Sequence, residues 1–143
     1  RRGCTVLRAS DLAPAMPNAL ATRVDDAFAL HAIAGDYRQF LARFGGVIDS
    51  FRSLGVRANA EQSFVVRTLL IHAYRRVSLR DPRLPAELLP LDWPGAAAHA
   101  LTRDFYRITH RLAEQHLATV FAADDEPLPA ASEDFYRRFG ALD

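Results

Sequence analysis

Residues 69–95 read LLIHAYRRVSLRDPRLPAELLPLDWPG, which joins the end of a predicted helix to a loop of unusual composition. The loop, residues 81–95, carries four prolines, yet it is rich in leucine and contains the only tryptophan of the chain, Trp93. Prolines reduce the entropy lost when a segment becomes ordered, and the leucine side chains need an apolar surface. We therefore predict an ordered, packed loop with at most one helical turn, which starts at Pro85.

Three long amphipathic helices are predicted around this loop, because apolar residues recur there at three- and four-residue steps. The first spans residues 30–54 and ends at Gly55. The second follows the capping residue Asn59 and ends near Leu79, and the third runs from Pro94-Gly95 to about residue 122. Gly45-Gly46, inside the first helix, indicates either a close helix crossing or a bend.

The buried face of each helix is predicted from its apolar residues. The second helix is apolar nearly all round, which predicts a central position, and its expected inner face consists of Val65, Val66, Leu69, Leu70, Ala73 and Val77. For the third helix, the expected inner stripe is Ala97, Leu101, Phe105, Ile108 and Leu112. Its expected solvent face consists of Arg103, Arg107, His110 and Glu114.

The two ends of the chain lack this pattern. Residues 1–24 show no helical period, and we interpret them as the remnant of a preceding α/β domain or a linker, with a possible short strand at residues 4–7. Residues 122–131 are typical of a tether, and Ser132 caps a short helix over residues 133–139. The prediction is a mainly α fold: a helical bundle of three long helices over residues 25–143, with a Pro-rich loop and a short C-terminal helix.

Composition narrows the function classes. The chain has 143 residues, a net charge of +1 and one cysteine, Cys4, and all its basic residues are arginines. A domain whose main task is to bind the phosphate backbone of DNA carries a large basic excess, so we expect weak DNA binding. With no apolar run long enough to span a membrane and no signal peptide pattern, the expected location is the cytoplasm and no membrane partner is predicted.

Catalytic and metal sites are not predicted. His110 and Glu114 have the spacing of two metal ligands on one helix, but they fall on the expected polar side beside Arg103 and Arg107, which would repel a cation. The sequence has no glycine-flanked serine and no glycine-rich phosphate loop. We therefore expect neither an enzyme nor a bound cofactor.

Arg76 is the most informative charged residue, because it falls beside Leu69 and His72 on the rim of the expected buried stripe. A charged side chain at the edge of a buried surface is stable when a group of opposite charge lies beside it. Acidic residues of the loop would pin the loop to the helix, and this predicted clamp consists of His72, Arg76, Asp81, Glu87 and Asp92. A ligand-binding role for Arg76 is the alternative.

Residues 69–95 closely resemble the C-terminal domain of the PaaX-like repressors of phenylacetate catabolism. The distinctive parts are His72, Tyr74-Arg75-Arg76, Asp81-Pro82, Leu84–Pro90 and Asp92-Trp93-Pro94-Gly95. The segment YRQFLARF, residues 37–44, and the helix after the loop are also similar, so the resemblance covers about residues 24–122.

The resemblance implies a transcriptional repressor with an N-terminal winged helix, a middle ferredoxin-like domain and this helical C-terminal domain. Such repressors are released from their operator by an aryl-coenzyme A thioester, typically phenylacetyl-CoA. No residue of this sequence matches a winged helix, so DNA contact is expected only through that domain. What remains for this chain is effector sensing, support of a homodimer, or both.

Residue types around the loop suggest where such an effector would bind. Phosphates need cations and an aryl group needs an apolar slot. The predicted phosphate ligands are Arg75, Arg76, Arg80 and Arg83, and the predicted aryl pocket consists of Tyr74, Trp93 and Tyr106. The alternative left open is a structural dimerisation domain with no ligand site of its own, in which Tyr74 and Trp93 fill the core.

Overall fold

The fold is mainly α-helical, as predicted. The structure, a computed structural model, describes residues 17–55, 58–122 and 132–137. Its helices are α1 Pro17–Phe28, α2 Leu30–Leu54, α3 Ala60–Ser78, α4 Gly95–Ala122 and α5 Glu133–Arg137, with a 3-10 helix at Ala86–Leu88. No strand occurs within these residues, and the predicted strand at residues 4–7 and most of the predicted tether lie outside them.

Local capping sets the ends of α2 and α3 where the sequence predicted them. Gly55 has φ 52°, and its backbone N–H donates to the carbonyl of Phe51, which closes α2. The side-chain oxygen of Asn59 accepts a hydrogen bond of 3.2 Å from the backbone N–H of Gln62, which opens α3.

Helix α1 corrects one prediction, because residues 17–24 were expected to lack helical structure. Pro17 is the first residue of α1. This position tolerates proline, because the first N–H groups of a helix have no intrahelical partner. A single left-handed residue, Ala29 with φ 52° and ψ 43°, separates α1 from α2. Asp25 bridges this turn, since its carboxylate accepts from the backbone N–H of His31 at 3.1 Å and also contacts the imidazole.

The pairing with Asp25 raises the pKa of His31, mainly through the side-chain hydrogen bond. Because the pKa of His31 is higher in the folded state than in the unfolded state, the contact contributes its full stabilisation at pH values below the unfolded-state pKa. This contribution is lost as the pH rises through the folded-state pKa. We expect NMR titration to give His31 a pKa above the ordinary value of a histidine without a carboxylate partner. Asp25→Asn should bring the His31 value down, and an unchanged value would contradict the contact.

The core lies where α2 packs across the pair α3 and α4, which share the largest helix interface. It is built from Ile33, Tyr37, Phe40, Phe44, Ile48, Leu70, Val77, Ala98 and Phe105. Aromatic rings connect the helices: Phe51 meets Phe105 edge-on at 5.3 Å between centroids, and Phe40 meets Tyr74 at 5.8 Å. Such ring pairs add stability beyond the area they bury.

The buried face of α4 differs from the predicted stripe. It consists of Ala98, Thr102, Phe105, Tyr106, Thr109, His110 and Ala113, whereas Ile108 is 40% exposed. The hydroxyls of Thr102 and Thr109 donate to the carbonyls of Ala98 and Phe105, each at 2.8 Å, so these side chains are buried without an unpaired polar group. The predicted face, based on apolar residues alone, was therefore rotated.

Helix α3 shows the same kind of correction. Val65 and Leu69, expected inside, are 45% and 53% exposed, whereas Ser63 and Arg67 are buried. The hydroxyl of Ser63 donates to the carbonyl of Asn59 at 2.8 Å. Gly45-Gly46 does not mark a close helix crossing, because a Cβ atom at either position would meet nothing within 4 Å.

Candidate functional site

A groove of about 1020 Å³ runs along α3 and is closed on one side by α4 and by the loop that follows α3. Ligand sites in proteins are commonly between about 300 and 1,000 Å³, so this groove is large enough for an extended ligand. Its apolar and aromatic lining is Ile71, Tyr74, Leu79 and Tyr106, and its polar lining is Thr68, His72 and His99. Its cationic lining is Arg67, Arg75, Arg76 and Arg83.

The arginines at the rim carry positive charge that the described residues do not neutralise. Arg75, Arg76 and Arg83 are exposed, and within residues 17–55, 58–122 and 132–137 none of their guanidinium groups forms an ion pair. A guanidinium group binds phosphate or carboxylate through two parallel hydrogen bonds. The rim therefore favours an anionic ligand.

Arg67 differs from the rim arginines, because it is only 7% exposed. Its Nη1 donates to Oε1 of Glu114 on α4 at 2.9 Å. Its guanidinium carbon also lies 5.3 Å from the ring centroid of Tyr106 and 5.9 Å from that of Phe64. Arg67 is therefore a buried cation that ties α3 to α4 beneath the groove.

Aromatic side chains of both α3 and α4 line the groove where the two helices meet. The ring of Tyr74 lies 6.4 Å from that of His99, and Tyr106 is buried. Burial raises the pKa of Tyr74, and the nearby carboxylate of Asp81 adds to this effect. The phenol of Tyr74 is thus neutral at physiological pH and keeps its O–H.

Asp81 positions Arg83 at the groove. Arg83 has φ 52°, a left-handed backbone that costs a non-glycine residue about 1–2 kcal/mol. Its backbone N–H donates to Oδ1 of Asp81 at 2.8 Å. Oδ2 of the same carboxylate accepts from the hydroxyl of Tyr37 at 2.9 Å, and Tyr37 is a buried residue of α2. The position of Arg83 is therefore fixed through Asp81 to the core.

Burial raises the pKa of Tyr37, and its hydrogen bond to Asp81 raises this pKa further. The Tyr37 phenol consequently stays protonated at neutral pH and donates the hydrogen bond in this pair.

The structure places most of the predicted ligand residues in this one groove, namely Tyr74, Arg75, Arg76, Arg83 and Tyr106. It does not place Arg80 or Trp93 there. Arg80 forms an ion pair with Asp36 of α2 on the other side of α3. Trp93 packs edge-on against Tyr37, with ring centroids 5.9 Å apart, and its Nε1 lies against Gly95. Trp93 is therefore a packing residue at the start of α4.

The predicted loop clamp is replaced by a different one. Arg76 forms no hydrogen bond or ion pair with Asp81, Glu87 or Asp92 in the described part of the chain. Asp92 instead pairs with Arg38, and Asp81 bonds Tyr37, because α2 lies directly beside the loop. Glu87 is exposed, and His72 lines the groove.

His110 and Glu114, which have the spacing of two metal ligands, each have another partner in the structure. His110 is buried, contrary to its expected polar position, and its Nδ1 lies 3.0 Å from the carbonyl oxygen of Arg107. Glu114 is held by Arg67. No group of three His, Cys, Asp or Glu side chains within the described ranges comes together as a metal site.

Among the arginines and histidines that line the groove, Arg67 and His99 were not predicted from the sequence. The position of Arg67 could have been inferred from the sequence. It lies on the same helix face as Leu70, Tyr74 and Val77, at three- and four-residue steps, and all three are at least partly buried. A charged residue in a buried register indicates a specific partner on the neighbouring helix. No comparable signal marks His99, which is exposed and faces the groove only because α4 packs beside α3.

None of the helices in the described residues has both the length and the apolar character needed to cross a bilayer. The net charge of +1 leaves the chain without a basic surface excess typical of direct DNA binding.

Comparison with known proteins agrees with the resemblance of residues 69–95. Residues 28–119 match the family described as PaaX-like protein C-terminal domain. Transcriptional repressor PaaX of Escherichia coli (strain K12) is 35% identical over 127 residues, which cover 87% of this chain and 39% of that protein. The description of this relative is that of a transcriptional repressor and not of an enzyme. The residues that line the groove and the motifs of the loop all lie within the matched residues 28–119, and the chain belongs to the family of PaaX-like C-terminal domains.

Proposed function

We propose that this chain is the effector-sensing domain of a PaaX-like transcriptional repressor, and that the groove between α3 and α4 binds an aryl-CoA thioester such as phenylacetyl-CoA. One observation carries the proposal: a single groove combines exposed arginines that lack counter-ions with a wall of aromatic side chains. The chain spans 39% of the length of its relative PaaX, so operator binding is assigned to a winged-helix region outside these residues.

The groove suits the two ends of such a ligand. Its phosphates would be held by Arg75, Arg76 and Arg83 through charge-assisted hydrogen bonds. The aryl group would lie against the ring of Tyr74 and against the small accessible part of Tyr106, whose ring is otherwise buried beside Arg67. Tyr74 keeps its proton and is able to donate to the thioester carbonyl.

Calorimetric titration of the 143-residue chain with phenylacetyl-CoA tests this proposal, with free coenzyme A and phenylacetate as separate controls. We expect saturable binding of the thioester, weaker binding of coenzyme A and no measurable binding of phenylacetate. Equal affinity for the thioester and free coenzyme A would remove the aryl pocket from the proposal. Absence of binding would overturn it.

Arg75→Gln is expected to weaken the binding of phenylacetyl-CoA about tenfold, because a hydrogen bond to a charged group contributes about 1.5–3 kcal/mol. Arg75 lines this groove, is exposed and has no ion-pair partner in the described residues, so its loss should leave the fold intact. The matched control is Arg52→Gln, which removes one exposed arginine that does not line this groove. Equal affinities of the two variants would contradict the proposed rim.

A second candidate function is dimerisation. Exposed apolar side chains on the outer face of α3, and Leu79 directly after it, favour this function. Val65, Leu69 and Leu79 are 45%, 53% and 75% exposed. Val65 and Leu69 lie one helical turn apart on α3, and adjacent exposed apolar side chains often mark a contact with another protein surface. Sedimentation at several concentrations tests it, and Leu69→Glu should abolish self-association if this face joins two copies. A monomer at all concentrations would exclude this function for the isolated chain.

A further inference from the structure

A second groove, of about 350 Å³, lies on the opposite side of α3, between α3 and α2. Its apolar floor is formed by Phe40, Phe44, Ala73 and Val77, and its polar residues are Asp36, Gln39, Arg43, Arg76 and Arg80. It is much smaller than the first groove, so it has room for a small charged group but not for a folded segment.

The charges in this groove are unbalanced. Asp36 is its only acid among the lining residues and is neutralised by Arg80. Arg43 and Arg76 form no ion pair within the described ranges, so two positive charges face the groove without a counter-ion. The guanidinium of Arg43 lies 5.5 Å from the ring centroid of Phe44. A stacked guanidinium keeps the N–H donors at its edge available for a ligand.

We propose that the second groove binds a dianionic phosphate monoester, with Arg43 and Arg76 as its ligands. A phosphate monoester carries about −1.5 to −2 charges at neutral pH and three acceptor oxygens, which matches two unpaired guanidinium groups better than a single carboxylate does. The phenyl rings of Phe40 and Phe44 are buried in the floor, whereas Arg43 and Arg76 are exposed, so both guanidinium groups are accessible to a ligand from solvent.

Arg76 connects this site to the first groove, because it lines both. The two grooves therefore adjoin at the side chain of Arg76. This step rests on the proposed function: the terminal 3′-phosphate of the CoA thioester occupies the second groove, while its acyl arm lies in the first. A ligand held at two adjoining sites gains affinity because the second contact is intramolecular.

The experiment compares phenylacetyl-CoA with phenylacetyl-3′-dephospho-CoA by calorimetry on four proteins: the unmodified chain, Arg43→Gln, Arg75→Gln and Arg52→Gln. We expect the 3′-phosphate to improve the affinity of the unmodified chain about tenfold, and to improve that of Arg43→Gln by less than about threefold. Arg75→Gln should weaken both ligands and keep the tenfold ratio, because Arg75 lines only the first groove. Arg52→Gln should behave as the unmodified chain.

Equal affinities of the unmodified chain for the two thioesters would overturn the inference and leave the proposed function standing. A ratio that survives Arg43→Gln unchanged would also overturn it. If neither thioester binds, the proposed function fails. The phosphate site in the second groove is then tested separately by NMR titration with adenosine 3′-monophosphate. Amide shifts at residues 39–43 and 73–80 that disappear in Arg43→Gln would support the phosphate site; no such shifts would overturn it.

Discussion

Arg67→Ala is expected to lower the free energy of unfolding by about 3 kcal/mol, the largest loss for any single charged residue described here. The arginine is 7% exposed, and its partner Glu114 lies on the neighbouring helix at 2.9 Å. Truncation removes the ion pair and the contacts with the rings of Phe64 and Tyr106. It also leaves a cavity between α3 and α4, the helices with the largest shared interface. The expected loss of stability lies at the low end of the range for a buried ion pair, because the Glu114 side chain is partly exposed.

Urea unfolding followed by far-ultraviolet circular dichroism measures this effect. The matched control is Arg52→Ala, which removes an exposed arginine paired with Asp104 and should change the stability by less than about 1 kcal/mol. The double variant Arg67→Met/Glu114→Gln keeps most of the packing without a buried charge and should recover at least half of the loss. If Arg67→Ala and Arg52→Ala unfold at the same urea concentration, Arg67 does not stabilise the α3–α4 interface.

Gly95→Ala is expected to destabilise the fold by about 2 kcal/mol, although alanine is normally the better helix former. A Cβ atom at position 95 would lie 2.5 Å from Nε1 and 3.1 Å from Cδ1 of Trp93. These distances are too short, so the indole or the start of α4 must move. The indole is confined by its edge-on contact with Tyr37, and movement there would also disturb Asp81, whose Oδ2 lies 3.5 Å from the same Cβ position.

Gly46→Ala provides the matched control for this substitution. Gly46 lies inside α2, is exposed, and a Cβ atom there would meet nothing within 4 Å. The same chemical change should therefore stabilise the protein by about 0.5–1 kcal/mol through helix propensity alone. Thermal unfolding of the two variants side by side is the measurement. A higher melting temperature for Gly95→Ala would show that the contact with Trp93 relaxes at no cost.

The ends of α2 and α3 and the start of α4 were predictable from the sequence, whereas helix α1 and the buried faces of α3 and α4 were not. Asn59, Gly55 and Pro94-Gly95 act through local backbone geometry, so a single sequence is enough to locate them. The orientation of α4 depends on Thr102 and Thr109, which a hydrophobic pattern treats as polar. Their hydroxyls bond carbonyls of the preceding turn, and this local pairing makes their burial possible.

The kinds of residue that line the candidate site were predictable from the sequence. Which of the predicted residues come together in one groove was less predictable. The run Tyr74-Arg75-Arg76 lies at the groove as expected. Arg80 and Trp93 were misplaced because α2 was not considered as a neighbour of the loop, and it is α2 that supplies Asp36 for Arg80 and Tyr37 for Trp93. The clamp was assigned to Arg76 for the same reason. Contacts between segments distant in sequence decided these positions.

The packing of Trp93 also has a spectroscopic consequence. The chain contains one tryptophan, so emission excited at the red edge of its absorption comes from this indole alone. The indole touches Tyr37 and Gly95, and the carboxylate of Asp81 joins Tyr37 to the backbone of Arg83 at the groove. A ligand that pulls on Arg83 therefore acts on the immediate surroundings of the fluorophore. Intrinsic fluorescence thus reports, without any label, on the one junction where the groove meets the core.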